Sequence, residues 1–236
     1  MEEHMNEEPN APMLPARSSS ILQTWTNATT KPNEQTYAQL AASPEAKTST
    51  ALLWVFIASL VQSLIAIPMQ GRIMAQMMQG TGLENQAGPG LVGILCGAPI
   101  AAVVTVVFFS AFTGIVQWVA GLFGGKGSFE KLAYVFAAIT VPFTLLSALI
   151  TLLSAVPYVG ACFGIIGLLA GLYVLVLQVM AVKGVNQFDW LPAAGSLLLP
   201  FIAFICCISA GVAGLVSLAG PAMQDIFDQM NQSITP

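Results

Sequence analysis

The sequence has very few charged residues. Asp, Glu, Lys and Arg make up only 8% of its 236 positions, whereas soluble domains carry about 25%. No charged residue occurs in the 51 positions from 132 to 182, or in the 41 positions from 85 to 125 that follow Glu84. An apolar stretch of about 18 residues or more is long enough to cross the hydrocarbon core of a bilayer. This scarcity of charge excludes an ordinary soluble domain and predicts an integral membrane protein.

Residues that carry catalytic or metal chemistry are also scarce. His4 is the only histidine in the chain, so the apolar segments hold no histidine general base. The cysteines form no C-x-x-C pair and are expected to be small buried hydrophobic residues; they are Cys96, Cys162, Cys206 and Cys207. We therefore expect no catalytic residue, no metal site, no cofactor, no enzymatic activity and no nucleic-acid partner.

The uncharged runs divide into five predicted membrane helices, so the fold class is an all-α polytopic transmembrane bundle. The predicted spans are about 51–68, one within 91–123, 132–155, 160–182 and 194–219. The second segment is too short for two crossings of about 20 residues each, so we expect one tilted helix there. The resulting domain boundaries are a disordered acidic tail at 1–19, a cytoplasmic lead-in at 20–47, the five-span domain at 48–220 and an extracytoplasmic tail at 221–236. The oligomeric state stays open.

The lead-in segment has the pattern of two short amphipathic helices. Ser20 and Asn33 are residue types that cap helix N-termini. In the first helix Ile21, Leu22 and Trp25 would share one face at helical spacing. In the second helix Tyr37, Leu40 and Ala41 fall at positions i, i+3 and i+4. We expect both helices to lie on the cytoplasmic surface of the membrane, and the alternative is an irregular linker.

Basic residues near the span ends predict the orientation. Four lysines fall on one side of a five-span topology, namely Lys47, Lys126, Lys131 and Lys183, and only Arg72 falls on the other. Cytoplasmic loops carry the excess of Lys and Arg. We therefore expect the N-terminus in the cytoplasm and the C-terminus outside, in the plasma membrane if the source is prokaryotic. The lipid bilayer is the first partner that the sequence implies.

The segment GLFGGKGSFEKL, from Gly121, resembles a phosphate-binding loop only superficially. A P-loop requires G-x-x-x-x-G-K-[ST], and this segment has Lys126 at the second glycine position. The run Gly124, Gly125, Lys126 and Gly127 instead predicts a tight cytoplasmic turn between two spans. Ser128 is then the expected cap of the third span, with Lys131 at the third helical position, and Pro142 is expected to kink that span about midway.

Small residues recur at packing intervals in the fourth span. Two G-x-x-x-G pairs follow one another, formed by Gly160, Gly164, Gly167 and Gly171. Such pairs let helix backbones approach closely. We expect packing within the bundle, and the alternative is an interface between copies of the chain.

Three glutamines are the most polar side chains near the predicted spans, namely Gln62, Gln117 and Gln178. We expect them to form hydrogen bonds between helices, and the alternative is that they line a path for a neutral solute.

Several of these features occur in the order found in a known family. The lead-in carries Trp25, Lys31-Pro32, Tyr37 and Pro44. A glycine-rich loop, GGKGSFEKLAYVFAAITVP, is followed by a proline inside the third span. The fourth span, GLYVLVLQVMAVKGVNQF, carries a tyrosine and runs into a lysine and a short loop. Over about 24–219, the chain resembles the Ypt-interacting-protein (Yip) domain family of five-span membrane proteins.

The resemblance implies that eukaryotic relatives sit in early secretory membranes, bind Rab-type GTPases and help to shape or traffic vesicles. This chain has a short N-terminal region and looks more like prokaryotic members, so we carry over the fold and topology but not a Rab-type partner. The function we expect is a non-enzymatic membrane scaffold, organiser or trafficking-like factor that binds other membrane or cytoplasmic proteins through its cytoplasmic face. The alternative is a small permease or channel for neutral solutes.

Overall fold

The computed structural model of the chain describes residues 20–77, 91–153 and 159–234. Within these ranges every regular element is an α-helix, which confirms the predicted all-α class. The seven helices of the described ranges are α1 (Ile21–Thr30), α2 (Glu34–Ala41), α3 (Thr48–Met77), α4 (Leu91–Leu122), α5 (Phe129–Leu153), α6 (Val159–Asn186) and α7 (Trp190–Ile234). The acidic tail predicted at 1–19 lies outside the described residues.

Helices α3 to α7 are each long and apolar enough to cross a membrane, which confirms the predicted number of spans. Their candidate spans are Thr48–Gly71, Val92–Leu122, Phe129–Leu153, Gly164–Asn186 and Trp190–Gly211. As expected, the second apolar segment forms one continuous helix rather than two crossings.

Helix α7 does not end where the sequence predicts. We expected the last span to stop near 219 and a separate tail to begin at 221, but the helix continues to Ile234. Pro221, just past the predicted end, falls within the helix. A proline removes one backbone donor, yet its fixed φ of about −65° is compatible with helical geometry. A proline and a preceding glycine are therefore insufficient to end this helix.

The five long helices alternate in direction. The starts of α3 and α5 meet where the Thr48 backbone N–H donates to Glu130 Oε1 at 3.3 Å. The ends of α4 and α6 meet at the same place, where Gln117 Nε2 donates to Asn186 Oδ1 at 2.9 Å. We call this the Asn186 end of the bundle. It also holds the α4–α5 loop at 123–128 and the α6–α7 loop at 187–189.

The first half of α5 lies at the centre of the molecule. All eight residues from Leu132 to Ile139 have no exposed surface, and eight successive residues cover every side of a helix. Helices α1, α2, α3, α4 and α6 pack around it. Farther along, α5 exposes Leu146, Leu149 and Leu152. The described core is therefore concentrated in the half of the bundle nearest the Asn186 end.

The two lead-in helices form as the sequence predicts, and α1 buries its small residues rather than its large apolar ones. Ser20 caps α1 in a capping box with Gln23, and Asn33 caps α2 by accepting from the backbone of Gln35. Tyr37 and Ala41 of α2 are buried, as expected.

In α1 the inward face is Thr24 and Ala28, whereas Ile21 and Leu22 are 51% and 69% exposed. Of the residues predicted to share a face, Ile21 and Leu22 are therefore exposed, whereas Trp25 packs against the bundle. Small inward side chains allow α1 to approach α5 closely, and the larger aliphatic ones are left on the outside.

Candidate functional site at the Asn186 end of the bundle

An aromatic stack attaches α1 to the bundle. The ring of Trp25 lies edge-on to Trp54 of α3, with centroids 5.8 Å apart and planes at 88°. Trp54 in turn contacts Tyr134 of α5, at 5.2 Å between centroids. Edge-on aromatic pairs contribute roughly 0.5–1.5 kcal/mol beyond the area they bury. Three helices that are distant in sequence are thus joined through one row of rings.

Two tyrosines bind the C-terminal end of α1. The last four carbonyls of a helix lack partners within that helix. Tyr37 Oη, on α2, donates to the Ala28 carbonyl at 2.8 Å, and Tyr173 Oη, on α6, donates to the Thr29 carbonyl at 2.8 Å. Burial raises the pKa of the Tyr37 phenol well above its usual range, so this hydroxyl remains a donor in neutral and mildly alkaline solution. The tyrosines satisfy two of these carbonyls and position α1 against α6.

An ion pair and a close backbone approach attach α2 to α6. Lys183 Nζ lies 2.7 Å from Glu34 Oε2 and 4.8 Å from the centre of the Trp190 ring. A Cβ at Gly184 would lie 2.7 Å from the Glu34 carbonyl oxygen and 3.1 Å from the Tyr37 Cβ. Because real Cβ atoms are not found that close to backbone oxygen, α2 reaches this position only against a glycine. Neither the contact of Lys183 with α2 nor the close approach at Gly184 was predicted from the sequence.

Asn186 is the centre of a buried amide cluster. Its side chain is fully buried, and its Oδ1 accepts from Gln117 Nε2 at 2.9 Å and from the Gly127 N–H at 3.1 Å. Its Nδ2 donates to the Val182 carbonyl at 3.0 Å. Gln117 Nε2 also donates to the Gly127 carbonyl at 2.9 Å. These bonds connect α4, α6 and the α4–α5 loop, and both polar atoms of the Asn186 side chain have partners, as a buried amide requires.

The glycine-rich loop lies directly on Asn186. Gly124 has a φ of +84°, a conformation open to glycine at little cost. A Cβ at Gly125 or Gly127 would lie 2.6 or 2.7 Å from Asn186 Oδ1. The Lys126 N–H donates to the Asn186 carbonyl at 3.2 Å, while the Lys126 side chain is exposed. Close approach, rather than turn geometry alone, therefore requires glycine at positions 125 and 127.

The remaining predicted residues of the third span lie where the sequence places them. The Lys131 N–H donates to Ser128 Oγ at 3.5 Å, so Ser128 stands in the capping position. Lys131 is exposed beside Glu130, which binds the start of α3. Pro142 lies inside an α5 that is continuous from Phe129 to Leu153, and the kink there stays a prediction.

Three glycines in the first half of α6 have no close neighbour from another helix among the described residues. Gly164, Gly167 and Gly171 are exposed, and no atom of the described residues lies within 4 Å of a Cβ built at any of them. The surroundings of Gly160 lie outside the described residues. The helix-packing role of these four glycines therefore stays a prediction.

The cysteines of the described residues also differ from the prediction, because they are exposed rather than buried. Cys96, Cys206 and Cys207 are exposed and free, although the sequence analysis expected buried residues. A helix at the lipid-facing surface turns apolar residues outward, and cysteine behaves there as a small apolar side chain. Apolar sequence context alone does not distinguish this environment from a protein core.

The polar groups of this end are arranged to hold the chain together. Gln117, one of the glutamines considered for a solute path, is bonded to Asn186 and the loop. Across residues 20–77, 91–153 and 159–234, no group of three His, Cys, Asp or Glu side chains is close enough to hold a metal ion. The hydrogen bonds of Gln117 and Asn186 thus join backbone and side-chain groups of the protein itself.

Fold and site together define a polytopic α-helical membrane protein whose short lead-in helices pack on one end of a five-span bundle. The family model of the Yip1 domain matches residues 29–211, from the end of α1 to the end of the last candidate span. The chain belongs to the Yip1 domain family, as the resemblance in its sequence indicates. Comparisons with curated proteins and with solved structures gave no match.

Proposed function

We propose that this protein is a non-enzymatic membrane scaffold that binds other proteins through its Asn186 end, and that this end faces the cytoplasm. The observation that carries the proposal is that several elements are held together at this end. A loop, two lead-in helices and the ends of four spans are joined there by buried hydrogen bonds, an ion pair and stacked rings. A surface that is fixed before binding loses less conformational entropy when a partner docks.

The exposed side chains of this end supply polar groups for a partner. Lys47, Lys126 and Lys131 are exposed, and Gln35 and Gln39 project from α2. The lysines also support the orientation, because basic residues are enriched on the cytoplasmic side. A partner with complementary acidic groups would meet this surface favourably.

The spans themselves favour a scaffold over an ion-coupled carrier. Such carriers usually place ionisable residues within the membrane, and no Asp, Glu, Lys or Arg occurs from 132 to 182. Among the three glutamines considered for a solute path, Gln117 is nearest the Asn186 end. Its side chain already donates a hydrogen bond to the α4–α5 loop. These observations weigh against the solute-path alternative.

Site-specific photo-crosslinking in native membranes tests the proposal. A photoreactive residue at Gln35 or Lys126 should give discrete protein adducts, because both positions are exposed at the Asn186 end. Leu149 is the matched control, since it is 58% exposed on the half of α5 away from that end and should give mainly lipid adducts. Protein adducts no more abundant at positions 35 and 126 than at 149 would contradict the proposal.

A further inference from the structure

We propose that the contact between α3 and α5 binds one water molecule in the middle of the membrane, between the Gln62 side chain and the backbone carbonyl of Ala138. Both groups are hydrogen-bond acceptors that lack a donor, and a water molecule can donate to two acceptors at once. The site lies away from the Asn186 end, so it is separate from the binding surface proposed there.

Gln62 supplies the first acceptor. Its Oε1 atom is fully buried, and no group of the described residues donates to it. Gln62 falls at the centre of the inward face of α3, because it continues the helical spacing of the buried Ala51, Val55 and Ala58. A buried polar atom without a partner is costly, above all inside a membrane, where bulk water cannot replace the partner.

Pro142 creates the second acceptor. It lies inside α5, which is continuous from Phe129 to Leu153. In an α-helix each N–H donates to the carbonyl four residues earlier, and proline has no N–H. The carbonyl of the fully buried Ala138 therefore lacks the partner that a regular helix would give it.

The hydroxyl groups near Pro142 on α5 are bonded elsewhere. Thr140 Oγ1 donates to the Phe136 carbonyl at 2.8 Å, and Thr144 Oγ1 donates to the Thr140 carbonyl at 2.9 Å. Carbonyls freed by proline in membrane helices are satisfied by neighbouring helices, by Ser and Thr side chains or by ordered water. Since these threonines bind other carbonyls, the partner of the Ala138 carbonyl must come from elsewhere.

The two acceptors lie at the same depth in the bundle. Helices α3 and α5 run in the same direction, and Trp54 of α3 contacts Tyr134 of α5, 80 positions later. Because both helices rise 1.5 Å per residue, the same offset places Gln62 beside Pro142. Both residues are near the middle of their candidate spans, which are Thr48–Gly71 and Phe129–Leu153.

The directions of the two groups bring them toward each other. Gln62 lies about 21 Å from the start of α3, and Ala138 lies about 14 Å from the start of α5. Side chains of a helix lean toward its N-terminus, whereas its carbonyls point toward its C-terminus. The Gln62 amide thus reaches back, and the Ala138 carbonyl points forward, into the same interval of about 7 Å.

Water is the ligand that fits two buried acceptors in this place. A charged donor such as an ammonium group would pay a large desolvation cost in the hydrocarbon region. Water is neutral and small, and buried water molecules usually bind two to four polar groups that are otherwise unpaired. Bound here, it would take the place of the N–H that Pro142 lacks and would join α5 to α3.

Nuclear Overhauser measurements on the full chain in lipid nanodiscs test the site directly. With methyl-labelled alanine, the Ala138 methyl group should show a cross-peak to bound water. Ala148 is the matched control, because it is buried on the same helix and its carbonyl keeps a helical partner, the N–H of Leu152. Absence of the cross-peak at Ala138, or an equal cross-peak at Ala148, would overturn the proposal.

The variant Gln62→Leu removes one acceptor with little change in side-chain volume. It should abolish the cross-peak at Ala138, and persistence of the cross-peak would contradict the role of Gln62. It should also raise the equilibrium constant of unfolding in SDS several-fold, because the Ala138 carbonyl then loses its bridging partner.

The effect of Gln62→Leu should vanish when Pro142→Ala is also present. Position 142 then regains an N–H for the Ala138 carbonyl, and the water loses one of its two acceptors. Gln178→Leu, on α6, is the control and should change stability equally with and without Pro142→Ala. Equal effects of Gln62→Leu in the two backgrounds would overturn the proposal. Unequal effects without a water cross-peak would also overturn it, because the Gln62 amide would then donate directly to the carbonyl.

Discussion

At the residue scale, a single asparagine determines how the Asn186 end is built. Asn186 receives one hydrogen bond from Gln117 and one from the Gly127 backbone, and gives one to the Val182 carbonyl. The side chain is fully buried, so its hydrogen bonds are made to the protein itself. An unpaired buried donor costs about 1–3 kcal/mol. The cluster therefore specifies one position of the α4–α5 loop relative to α6.

Replacing Asn186 with alanine should reduce the free energy of unfolding by about 1–3 kcal/mol, because two partly buried donors, Gln117 Nε2 and the Gly127 N–H, lose this acceptor. Unfolding by SDS in mixed micelles, followed by circular dichroism, measures this change. Gln178→Ala is the matched control: Gln178 is a partly buried amide of α6 that forms no hydrogen bond among the described residues. A loss for Asn186→Ala no larger than that for Gln178→Ala would show that the cluster does not stabilise the fold.

Alanine at Gly125 should detach the loop from α6. The new Cβ would lie 2.6 Å from Asn186 Oδ1 and 2.9 Å from the Ala120 carbonyl oxygen, which is backbone and cannot rotate away. Amide hydrogen exchange should report this as faster exchange at Gly127, whose N–H is bonded to Asn186.

Gly121→Ala is the control for this substitution, since nothing of the described chain lies within 4 Å of a Cβ there. In a helix, alanine is favoured over glycine by about 1 kcal/mol, so this variant should leave exchange at Gly127 unchanged or slower. Equal acceleration in both variants would mean that the close contact at Gly125 is unimportant.

At the scale of the helices, local signals in the sequence were sufficient to predict the elements. Runs without charge predicted the five spans, and Ser20 and Asn33 predicted where α1 and α2 begin. These features act within one turn or one span, so neighbouring residues reveal them. The docking of the elements was not predictable in the same way. It depends on Gly184 and on tyrosine hydroxyls that bind backbone carbonyls up to 144 positions away, and a single sequence carries no signal for such pairs.

The contrast between local signals and contacts distant in sequence also explains what was not predicted. Ile21 and Leu22 were expected to share a face with Trp25 because all three are large apolar residues of α1. Only Trp25 packs against the bundle, and in a membrane protein large apolar residues also suit the outer surface. Asn186 was overlooked because one asparagine near a helix end resembles an ordinary helix terminus. Only the structure brings it within hydrogen-bonding distance of Gln117, 69 positions earlier.

Alanine at Gly184 should displace α2 from α6, because the Cβ would lie 2.7 Å from the Glu34 carbonyl oxygen. The displacement would also disturb the Glu34–Lys183 ion pair. Limited proteolysis of the protein in liposomes should then cleave the segment around Lys31 and α2 several-fold faster. Gly171→Ala, on an open part of the same helix, should leave the cleavage rate unchanged. Protection of the Gly184→Ala variant equal to that of the wild type would refute this account of the docking.

At the scale of the whole molecule, the helices pack more closely at the Asn186 end of the bundle than farther from it. Near the Asn186 end, α5 is surrounded on every side and α1 and α2 add to the packing. Farther away, α4, α5 and α6 expose large apolar residues, including Val92, Leu152 and Leu168. A fixed polar end joined to a lipid-facing half is an arrangement suited to presenting a surface at one side of a membrane. The proposed role as a scaffold depends on which side of the membrane that end faces.

The orientation is tested with reporters at the two ends of the chain. Lys47, Lys126, Lys131 and Lys183 all lie near the Asn186 end, where α3 and α5 begin and α4 and α6 finish. Cytoplasmic enrichment of basic residues therefore predicts that this end is inside. Five crossings then place position 236 on the opposite side. A reporter active only outside the cytoplasm should be active at position 236 and silent before position 1, and a reporter active only in the cytoplasm should give the reverse. Cytoplasmic activity at position 236 would exclude the proposed orientation, and with it the assignment of the Asn186 end as a cytoplasmic binding surface.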